Sequence, residues 1–397
     1  MTKQKILNLI RFFGPISRVA IAEKLEISNT AVTKYITELL SEGIILETGT
    51  EKSSGGRKPT LININPNFGY IIGIDFGQSF FRIAAFDLLN QNLYNETLPS
   101  SELGLPDEGI KKIFALIQRV KSFVGPGKKL LAIGIAISGI PMGNDCNYMT
   151  IPNLPGWKYI DFKTPFAKEF EVPVYIEDSP RMKALYESII PSNGRYKNLI
   201  YINIGVGVGA GIMVYGRLFR GSAGLAGEIG HIIVEENGLV CGCGNHGCLE
   251  QYASVPAMVS NAKEKLLLGV RSSIMDYAGG NIDGVDSYAL ARALADRDKL
   301  AFSIVVNAGT YLGKGIAQII NLFNPERIII GGGGADISDE ILDEIIKTCQ
   351  IRALNEAVKT VQIIKSAKGA DTALLGVSIF SQDNLFGLTE IQEQSLF

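Results

Sequence analysis

Three of the five cysteines in this 397-residue chain, and both of its histidines, fall within residues 231–248. Thiolates and imidazoles are the donors that zinc prefers, and zinc takes four of them in a tetrahedron. His231, Cys241, Cys243 and Cys248 could therefore close one Cys3His site, with the intervening glycines letting the backbone turn tightly. A disulfide is the alternative, although CxC spacing strains a bridge and nothing indicates an oxidising compartment. CxCGxxGC is not a standard zinc-finger spacing, so the residues alone leave the choice open.

The bulk composition is that of a globular chain. It is 46% hydrophobic and 20% charged, and 397 residues are enough for two or three domains with substantial cores. The apolar N-terminal segment reads as a helix rather than a signal peptide, because polar residues interrupt it and no cleavage pattern follows. The longest apolar runs, such as residues 130–137 and 328–330, have the length of strands, so we expect a cytoplasmic protein.

The first sixty residues carry the signals of a helix-turn-helix. Three helices are predicted, the second over 18–25 with Ser17 as its N-cap, and the third over 29–42 with Ser28 as its N-cap and Gly43 as its stop. The predicted buried positions are Ile6, Leu7 and Ile10 in the first helix, Val19, Ala22 and Leu25 in the second, and Val32, Ile36, Leu39 and Leu40 in the third. Predicted strands over 44–48 and 60–64 would add a winged hairpin.

The third helix is predicted to enter the major groove of DNA. Its exposed N-terminal side chains are small, polar or cationic, which suits base edges and phosphates, and cations in the wing suit a minor groove. The candidate DNA-binding residues are Ser28, Asn29, Thr30, Thr33 and Lys34, with Arg57 and Lys58 in the wing. The alternatives are an interdomain linker or a helical protein-interaction module.

After about residue 70, apolar strand-length runs end in glycine-rich turns and alternate with helical patterns, which is typical of an α/β fold. This pattern occurs in two halves. The first begins with a strand at 70–74 and its hairpin partner at 81–86; the second contains strands at 199–204 and 328–330. A single glycine cluster is weak evidence, since tight strand-to-helix turns need glycine anyway.

Taken together, these features resemble the ROK family, whose repressors and sugar kinases share a two-lobed actin-like (ribonuclease H-like) ATPase fold. Besides the cysteine signature, residues 151–157 (IPNLPGW) resemble the family's PNLxGW loop and residues 226–231 (AGEIGH) its AGExGH segment. The winged helix-turn-helix leading into residues 73–75 resembles the family's repressor branch. The match covers essentially the whole chain.

The resemblance implies a division into domains. The winged helix-turn-helix is expected over 1–65. The first α/β lobe is expected over 66–185 together with a C-terminal helix at about 378–397. The second α/β lobe is expected over 186–377, and it would carry one structural zinc ion.

The resemblance also implies a sugar-binding site between the lobes. The residues that fall on the family's sugar-binding positions are Asn153, Asp178, Glu228, His231 and Glu250. Carboxylates and amides make directional hydrogen bonds to hydroxyls, which agrees with this role. With one ring nitrogen on zinc, His231 would present the other to the sugar. The alternative for Asp178 and Glu228 is a capping or salt-bridged carboxylate.

Kinase chemistry is not expected, so no catalytic residue is predicted. Asp178 matches the position of the family's catalytic base, but Glu177 replaces the preceding Asn, and residues 75–80 (DFGQSF) depart from the kinase loop DxGGTK. Val206 replaces the threonine of the second phosphate loop, which removes a hydroxyl that could bind phosphate.

The sequence therefore predicts a sugar-responsive transcriptional regulator, most simply a repressor of carbohydrate-utilisation genes. We expect it to bind operator DNA as a homodimer or tetramer, and to be released when a sugar closes the cleft. The alternatives are an ATP-dependent sugar kinase carrying a DNA-binding domain, and a constitutive DNA-binding protein with a vestigial sugar lobe. Xylose, glucose, N-acetylated sugars and their phosphates all remain open as the effector.

Overall fold

The computed structural model describes residues 2–50, 59–142, 148–151, 154–190 and 194–387. The chain divides into two compact units. The first unit comprises Met1–Met182, Ile189–Arg195 and Ala373–Phe397, and the second comprises Lys183–Ser188 and Tyr196–Thr372. The chain passes between them four times, at residues 182–183, 188–189, 195–196 and 372–373.

The N-terminal segment forms the predicted winged helix-turn-helix. Its elements are α1 (Thr2–Phe13), β1 (Ile16–Ser17), α2 (Arg18–Leu25), α3 (Asn29–Ser41), β2 (Ile45–Thr50) and β3 (Thr60–Ile64). Ser17 caps α2 by accepting the N–H of Ala20, and Ser28 caps α3 by accepting the N–H of Ala31. The three strands pair in the order β1-β3-β2, so the wing is a hairpin anchored to the start of α2.

One buried position of α2 was predicted wrongly. Val19 is 49% exposed, and Ile21 is fully buried instead. Residues 19 and 21 lie about 200° apart around a helix, so only one of them can face the core. The predicted buried side chains Ile6, Leu7 and Ile10 of α1, and Val32, Ile36 and Leu39 of α3, do form the core of this domain.

The rest of the first unit is built on a five-stranded sheet. Its elements are β4 (Tyr70–Phe76), β5 (Phe80–Asp87), β6 (Asn92–Pro99), α4 (Pro106–Val124), β7 (Leu130–Ile137), β8 (Ile140–Met142), β9 (Tyr148–Thr150), β10 (Ile160–Asp161), α5 (Lys163–Phe170), β11 (Val174–Asp178) and α6 (Ser179–Glu187), followed by the hairpin β12 (Ile189–Ile190) and β13 (Gly194–Arg195). The sheet order is β11-β7-β4-β5-β6, in which β11, β7 and β4 run parallel.

Alternation along β4 separates the two faces of this sheet. Ile72, Ile74 and Phe76 enter the core formed with α4 and α5. On the opposite face, Ile71 joins the core of the helix-turn-helix, and Gly73 lies against the last helix, α14 (Thr372–Leu385). The winged helix-turn-helix thus shares its core with this sheet.

The second unit repeats the same sheet arrangement. Its elements are β14 (Leu199–Ile204), β15 (Val208–Val214), β16 (Arg217–Leu218), α7 (Glu250–Ala253), α8 (Val255–Leu267), α9 (Ile274–Tyr277), α10 (Ser287–Ala295), α11 (Lys299–Phe323), β17 (Arg327–Gly331), α12 (Glu340–Arg352), α13 (Asn355–Val358) and β18 (Gln362–Lys365). The order β16-β15-β14-β17-β18 again joins a three-stranded meander to two parallel strands. The predicted α/β fold with two related halves is confirmed.

Helix α11 is the centre of the second unit's core. It is long and apolar enough to cross a membrane by length and composition, but 56% of its most apolar window is buried inside the protein. Ile304, Leu312 and Ile316 pack there against the inward-facing isoleucines of β14. The apolar character of α11 is therefore that of a core helix.

Candidate functional site

The predicted metal ligands meet in the second unit. The donor atoms of His231, Cys241, Cys243 and Cys248 all lie within 4.8 Å of one another. Cys241 Sγ is 3.6 Å from His231 Nδ1, and Cys243 Sγ is 3.7 Å from Cys248 Sγ. A disulfide would bring two sulfurs to about 2.05 Å, so these thiols are not bridged.

The distances of 3.6 Å and 3.7 Å match two edges of a tetrahedron around one ion. With metal–sulfur bonds of about 2.3 Å and a metal–nitrogen bond of about 2.05 Å, two sulfurs lie about 3.8 Å apart, and a sulfur and a nitrogen about 3.6 Å apart. The donor set therefore fits a four-coordinate ion that prefers thiolates and imidazole. Gln251 also donates a hydrogen bond to Cys241 Sγ, at 3.7 Å, and would support that ligand from outside.

The cluster is held by a compact loop with little regular structure. The N–H of Cys241 donates to Asn245 O, and the N–H of Gly244 donates to Cys241 O, which closes a tight turn around Cys243. A hydrogen bond from the Asn245 backbone lowers the pKa of the Cys243 thiol to about 7, whereas burial raises the pKa of Cys248 to about 12. An ion would favour the thiolate form of both cysteines.

The AGEIGH segment lies against strand β15 because two of its glycines permit close backbone contact. Gly227 has a φ of 104°, and a methyl group at its Cα would lie 2.0 Å from Ala210 O. At Gly230 a methyl group would lie 2.4 Å from Val208 O. These glycines fix the short 3-10 helix Ile229–His231, so Glu228 precedes it and His231 ends it at the cluster with the three cysteines.

Glu250 joins the same group. Its Oε2 accepts the backbone N–H of Val208 at 3.0 Å, and it would lie 3.3 Å from a methyl group on Gly230. Because Glu250 starts α7 only two residues after Cys248, the cysteine loop also positions this carboxylate. The second unit thus brings together three of the predicted sugar-binding residues, Glu228, His231 and Glu250.

The other two predicted sugar-binding residues belong to the first unit's part of the sequence. Asp178 is the last residue of β11, and Asn153 lies outside the described residues. The tryptophan of the same IPNLPGW motif is buried, and its Nε1 donates to Gly104 O at 2.8 Å. The N–H of Ile151 donates to Trp157 O at 2.8 Å, so Trp157 is held through both its side chain and its backbone.

The position of the first phosphate loop is occupied by contacts within the protein. Asp75 is buried; its carboxylate faces Arg82 at 3.2 Å and accepts a hydrogen bond from Ser179 at 3.0 Å. Arg82 was not among the residues predicted for this site. The predicted hairpin could have indicated this ion pair, because Arg82 is the cross-strand partner of Asp75. The N–H of Gly77 donates to Phe80 O, so that amide is also engaged.

The residue before Asp178 is part of a buried ion pair. Glu177 Oε1 lies 2.9 Å from Arg181 Nη1, and the two side chains are 2% and 1% exposed. The same oxygen accepts the backbone N–H of Asp178 at 2.9 Å. Glu177 therefore fixes the backbone at Asp178. From the sequence, Glu177 was described only as a replacement of the family's Asn, and this contact was not predicted.

Helix α3, which is the helix predicted to enter the major groove and is called the recognition helix below, presents the predicted polar face. Ser28, Asn29, Thr30, Thr33 and Lys34 are all exposed. The hydroxyl of Thr37 donates to Thr33 O at 2.9 Å, so it is engaged within the helix. The wing residues Arg57 and Lys58 lie outside the described residues.

The chain matches two family models. Residues 71–384 match the ROK family, and residues 2–45 match a winged helix-turn-helix DNA-binding domain. The ROK match alone spans well over half of the chain and includes the whole cysteine cluster.

Curated proteins and solved structures of the same family are similar over most of their length. A putative xylose repressor of Caldicellulosiruptor sp. (strain Rt8B.4) is 31% identical over 355 residues, covering 89% of this chain and 88% of that protein. The Escherichia coli (strain K12) dual regulator NagC is 29% identical over 386 residues, covering 96% of this chain and 93% of that protein. A crystal structure of a ROK family transcriptional regulator, a homologue of the E. coli MLC protein, aligns with a TM-score of 0.83 and 26% identity, covering 98% and 97% of the two chains. This chain therefore belongs to the ROK family and carries an N-terminal winged helix-turn-helix.

Proposed function

We propose that the protein is a sugar-responsive transcriptional repressor of carbohydrate-utilisation genes. The proposal is supported by the presence of a DNA-reading helix and a group of candidate sugar ligands in one chain. An exposed, capped recognition helix stands at the N-terminus, and Glu228, His231 and Glu250 are grouped in the ROK domain. A helix of this kind places its N-terminal side chains in the major groove, while carboxylates and imidazole bind sugar hydroxyls. The site of action would be the cytoplasm, where operator DNA is found.

The effector is proposed to be a monosaccharide or its derivative. Relatives are named for xylose and for N-acetylglucosamine, so these two sugars are the first probes. Glu228, His231 and Glu250 are proposed to bind the sugar, and Asp178 and Asn153 are proposed as further sugar ligands. Arg57 and Lys58 are proposed to contact DNA from the wing.

One zinc ion per chain is proposed at His231, Cys241, Cys243 and Cys248. The grouping of the four donors within 4.8 Å of one another and their sulfur-rich chemistry support zinc over magnesium or calcium, which take oxygen ligands. The ion would hold the 3-10 helix Ile229–His231 to the cysteine loop. It would thereby orient the second ring nitrogen of His231 and the nearby Glu228.

A homodimer is the proposed DNA-binding form, because a two-fold protein presents two recognition helices to a palindromic site. The described surface offers exposed apolar side chains where α11 ends and α12 is followed by α13. Leu322, Ile351 and Leu354 are more than half exposed, and the N–H of Leu354 donates to Asn321, which brings the two helix ends together. We assign this surface to a second copy of the chain. Light scattering should give at least twice the 42.9 kDa chain mass, and Leu322→Glu should reduce it.

Catalysis is not proposed. Asp75 is engaged by Arg82 and Ser179. Gln78, Phe80 and Val206 stand where the resemblance to the family's kinases implies phosphate-binding residues. The kinase alternative has support from Asp178 and from a ROK glucokinase of Streptomyces griseus, solved with glucose and AMPPNP, which aligns with a TM-score of 0.70. Sugar-dependent ADP formation that disappears in Asp178→Asn would establish the kinase; turnover at background level is expected.

The direct test uses the full chain. Duplexes that bind the protein would be selected from a random-sequence pool, and their dissociation constants measured with and without xylose or N-acetylglucosamine. Selection of a defined sequence whose binding is weakened by a sugar is the expected result. DNA binding that no sugar changes would favour the constitutive alternative, and no selection of DNA would refute the proposal.

A further inference from the structure

A buried ion pair joins the DNA-binding domain to the C-terminal helix. Arg11 Nη1, in the last turn of α1, lies 2.7 Å from Asp383 Oδ1 of α14, and the two side chains are only 7% and 4% exposed. These residues are 372 positions apart in the sequence. Removing either partner would leave a buried charge without its counter-ion, so the contact strongly favours one arrangement of α1 on α14.

Helix α14 is itself fixed to the sheet of the first unit. Gln382 donates to Asn90 Oδ1 at 2.9 Å, and Ser378 donates to the same oxygen at 3.0 Å. Gly73 and Gly134, which are paired across β4 and β7, leave room for the helix: a methyl group on Gly134 would lie 2.3 Å from Ser381 Oγ. The position of Asp383 is therefore set by a helix that is seated in a glycine groove.

Apolar contacts surround the ion pair on the side of the DNA-binding domain. Leu385 and Phe386, at the end of α14, pack against the cluster that contains Ile6, Ile10 and Ile36. Ile36 belongs to the recognition helix, so α14 and α3 share one core. A displacement of α14 would be felt by α3 through this cluster and through Arg11.

The other end of α14 begins at the second unit. Thr372 is the last residue of that unit and the first residue of the helix. At Gly376, a methyl group would lie 1.9 Å from the carbonyl oxygen of Met182, the residue at which α6 passes into the second unit. The 14-residue helix spans about 20 Å, so one continuous element connects the end of the second unit to Asp383.

We propose that the Arg11–Asp383 ion pair is the contact through which α14 couples the sugar-binding part of the chain to the DNA-binding domain. Arg11 and Asp383 are positioning residues: Arg11 belongs to α1 and Asp383 to α14, and neither is one of the proposed sugar ligands or a residue of α3. An ion pair suits this task because it depends on orientation, whereas apolar side chains can slide and keep their contact. The inference rests on the proposed function.

The experiment measures the coupling factor, which is the ratio of the DNA dissociation constants with and without sugar. It uses the full chain, a duplex selected with the wild type, and whichever of xylose and N-acetylglucosamine releases the wild type. Asp383→Asn should reduce the coupling factor at least about fivefold, while sugar affinity stays within about twofold of the wild type. Glu42→Gln is the matched control. It breaks the ion pair between Glu42 Oε1 and Lys3 Nζ, which are 2.5 Å apart in the same domain but at its solvent-exposed surface.

An unchanged coupling factor in folded Asp383→Asn would overturn the proposal. If that variant does not fold, Arg11→Lys keeps the charge but loses the planar guanidinium, and a partial loss of coupling is expected. Wild-type coupling in Arg11→Lys would then be the contradicting result.

If neither sugar releases the wild type from DNA, the proposed function is contradicted. Amide hydrogen exchange of α1 then tests separately whether the ion pair holds this helix in place. Faster exchange across α1 in Asp383→Asn or Arg11→Lys, but not in Glu42→Gln, supports the contact. Equal hydrogen-exchange rates in all three variants would overturn the proposed role of the ion pair.

Discussion

Glu250 accepts the backbone N–H of Val208 at 3.0 Å, and Gly207 provides the space for this contact. A methyl group on Gly207 would lie 2.5 Å from the same carboxylate oxygen. The second glycine of the Gly205-Val206-Gly207 loop thus serves the carboxylate that we place in the sugar site. The loop that resembles the second phosphate loop of the family's kinases thus contacts a proposed sugar ligand.

Gly207→Ala is expected to displace Glu250 and weaken sugar binding at least about tenfold, or about 1.4 kcal/mol. Gly205→Ala is the matched control, because its methyl group would meet no atom closer than Asn203 Nδ2 at 3.4 Å. Calorimetry with the releasing sugar would measure both variants. Equal sugar affinity in the two variants would remove Glu250 from the ligand set.

Protein purified without added zinc should contain about one zinc ion per chain, and Cys243→Ser should lose the ion. The sugar response should be lost with it, because the ion holds His231 to the cysteine loop. Cys349→Ser is the control, since Cys349 is buried in the core and donates to Gly313 O. Metal analysis gives the result directly. Full zinc occupancy in Cys243→Ser would exclude Cys243 as a ligand.

The sequence predicted the fold well wherever periodicity and caps agreed. Ser17 and Ser28 marked helix starts that the structure places at Arg18 and Asn29, because a serine hydroxyl competes for the first free N–H groups. The strand predicted at 199–204 has those bounds. Val19 was predicted wrongly because α2 has only eight residues. In so short a helix, two different faces match the apolar periodicity almost equally well.

The site was predictable as a set of ligands but not as a set of contacts. The spacing of the cysteines and the resemblance to the ROK family named the metal cluster, since its donors are close in sequence. The Asp75–Arg82 and Arg11–Asp383 ion pairs depend on strand register and on long-range packing. A single sequence does not specify those contacts, because many pairings of opposite charges are compatible with it.

Lys34→Ala should weaken binding to the selected duplex because it removes an exposed cation from the recognition helix. If Lys34 contacts a phosphate, the slope of log affinity against log salt should become shallower by about one unit. Lys5→Ala, which removes an exposed cation from α1, is the control and should leave the slope unchanged. Anisotropy titrations over a range of salt concentrations would measure both slopes. Wild-type affinity in Lys34→Ala would contradict the placement of α3 on DNA.

The central claim is that sugar bound at Glu228, His231 and Glu250 controls operator binding. The most direct measurement is a DNA-binding titration of the wild type and Glu228→Ala on the selected duplex, with and without the releasing sugar. Sugar should release the wild type. Glu228→Ala should bind the sugar-free duplex within about twofold of the wild type and stay bound at sugar concentrations that release the wild type, because its sugar site lacks a hydrogen-bonding carboxylate. Release of Glu228→Ala at the wild-type sugar concentration would contradict the account.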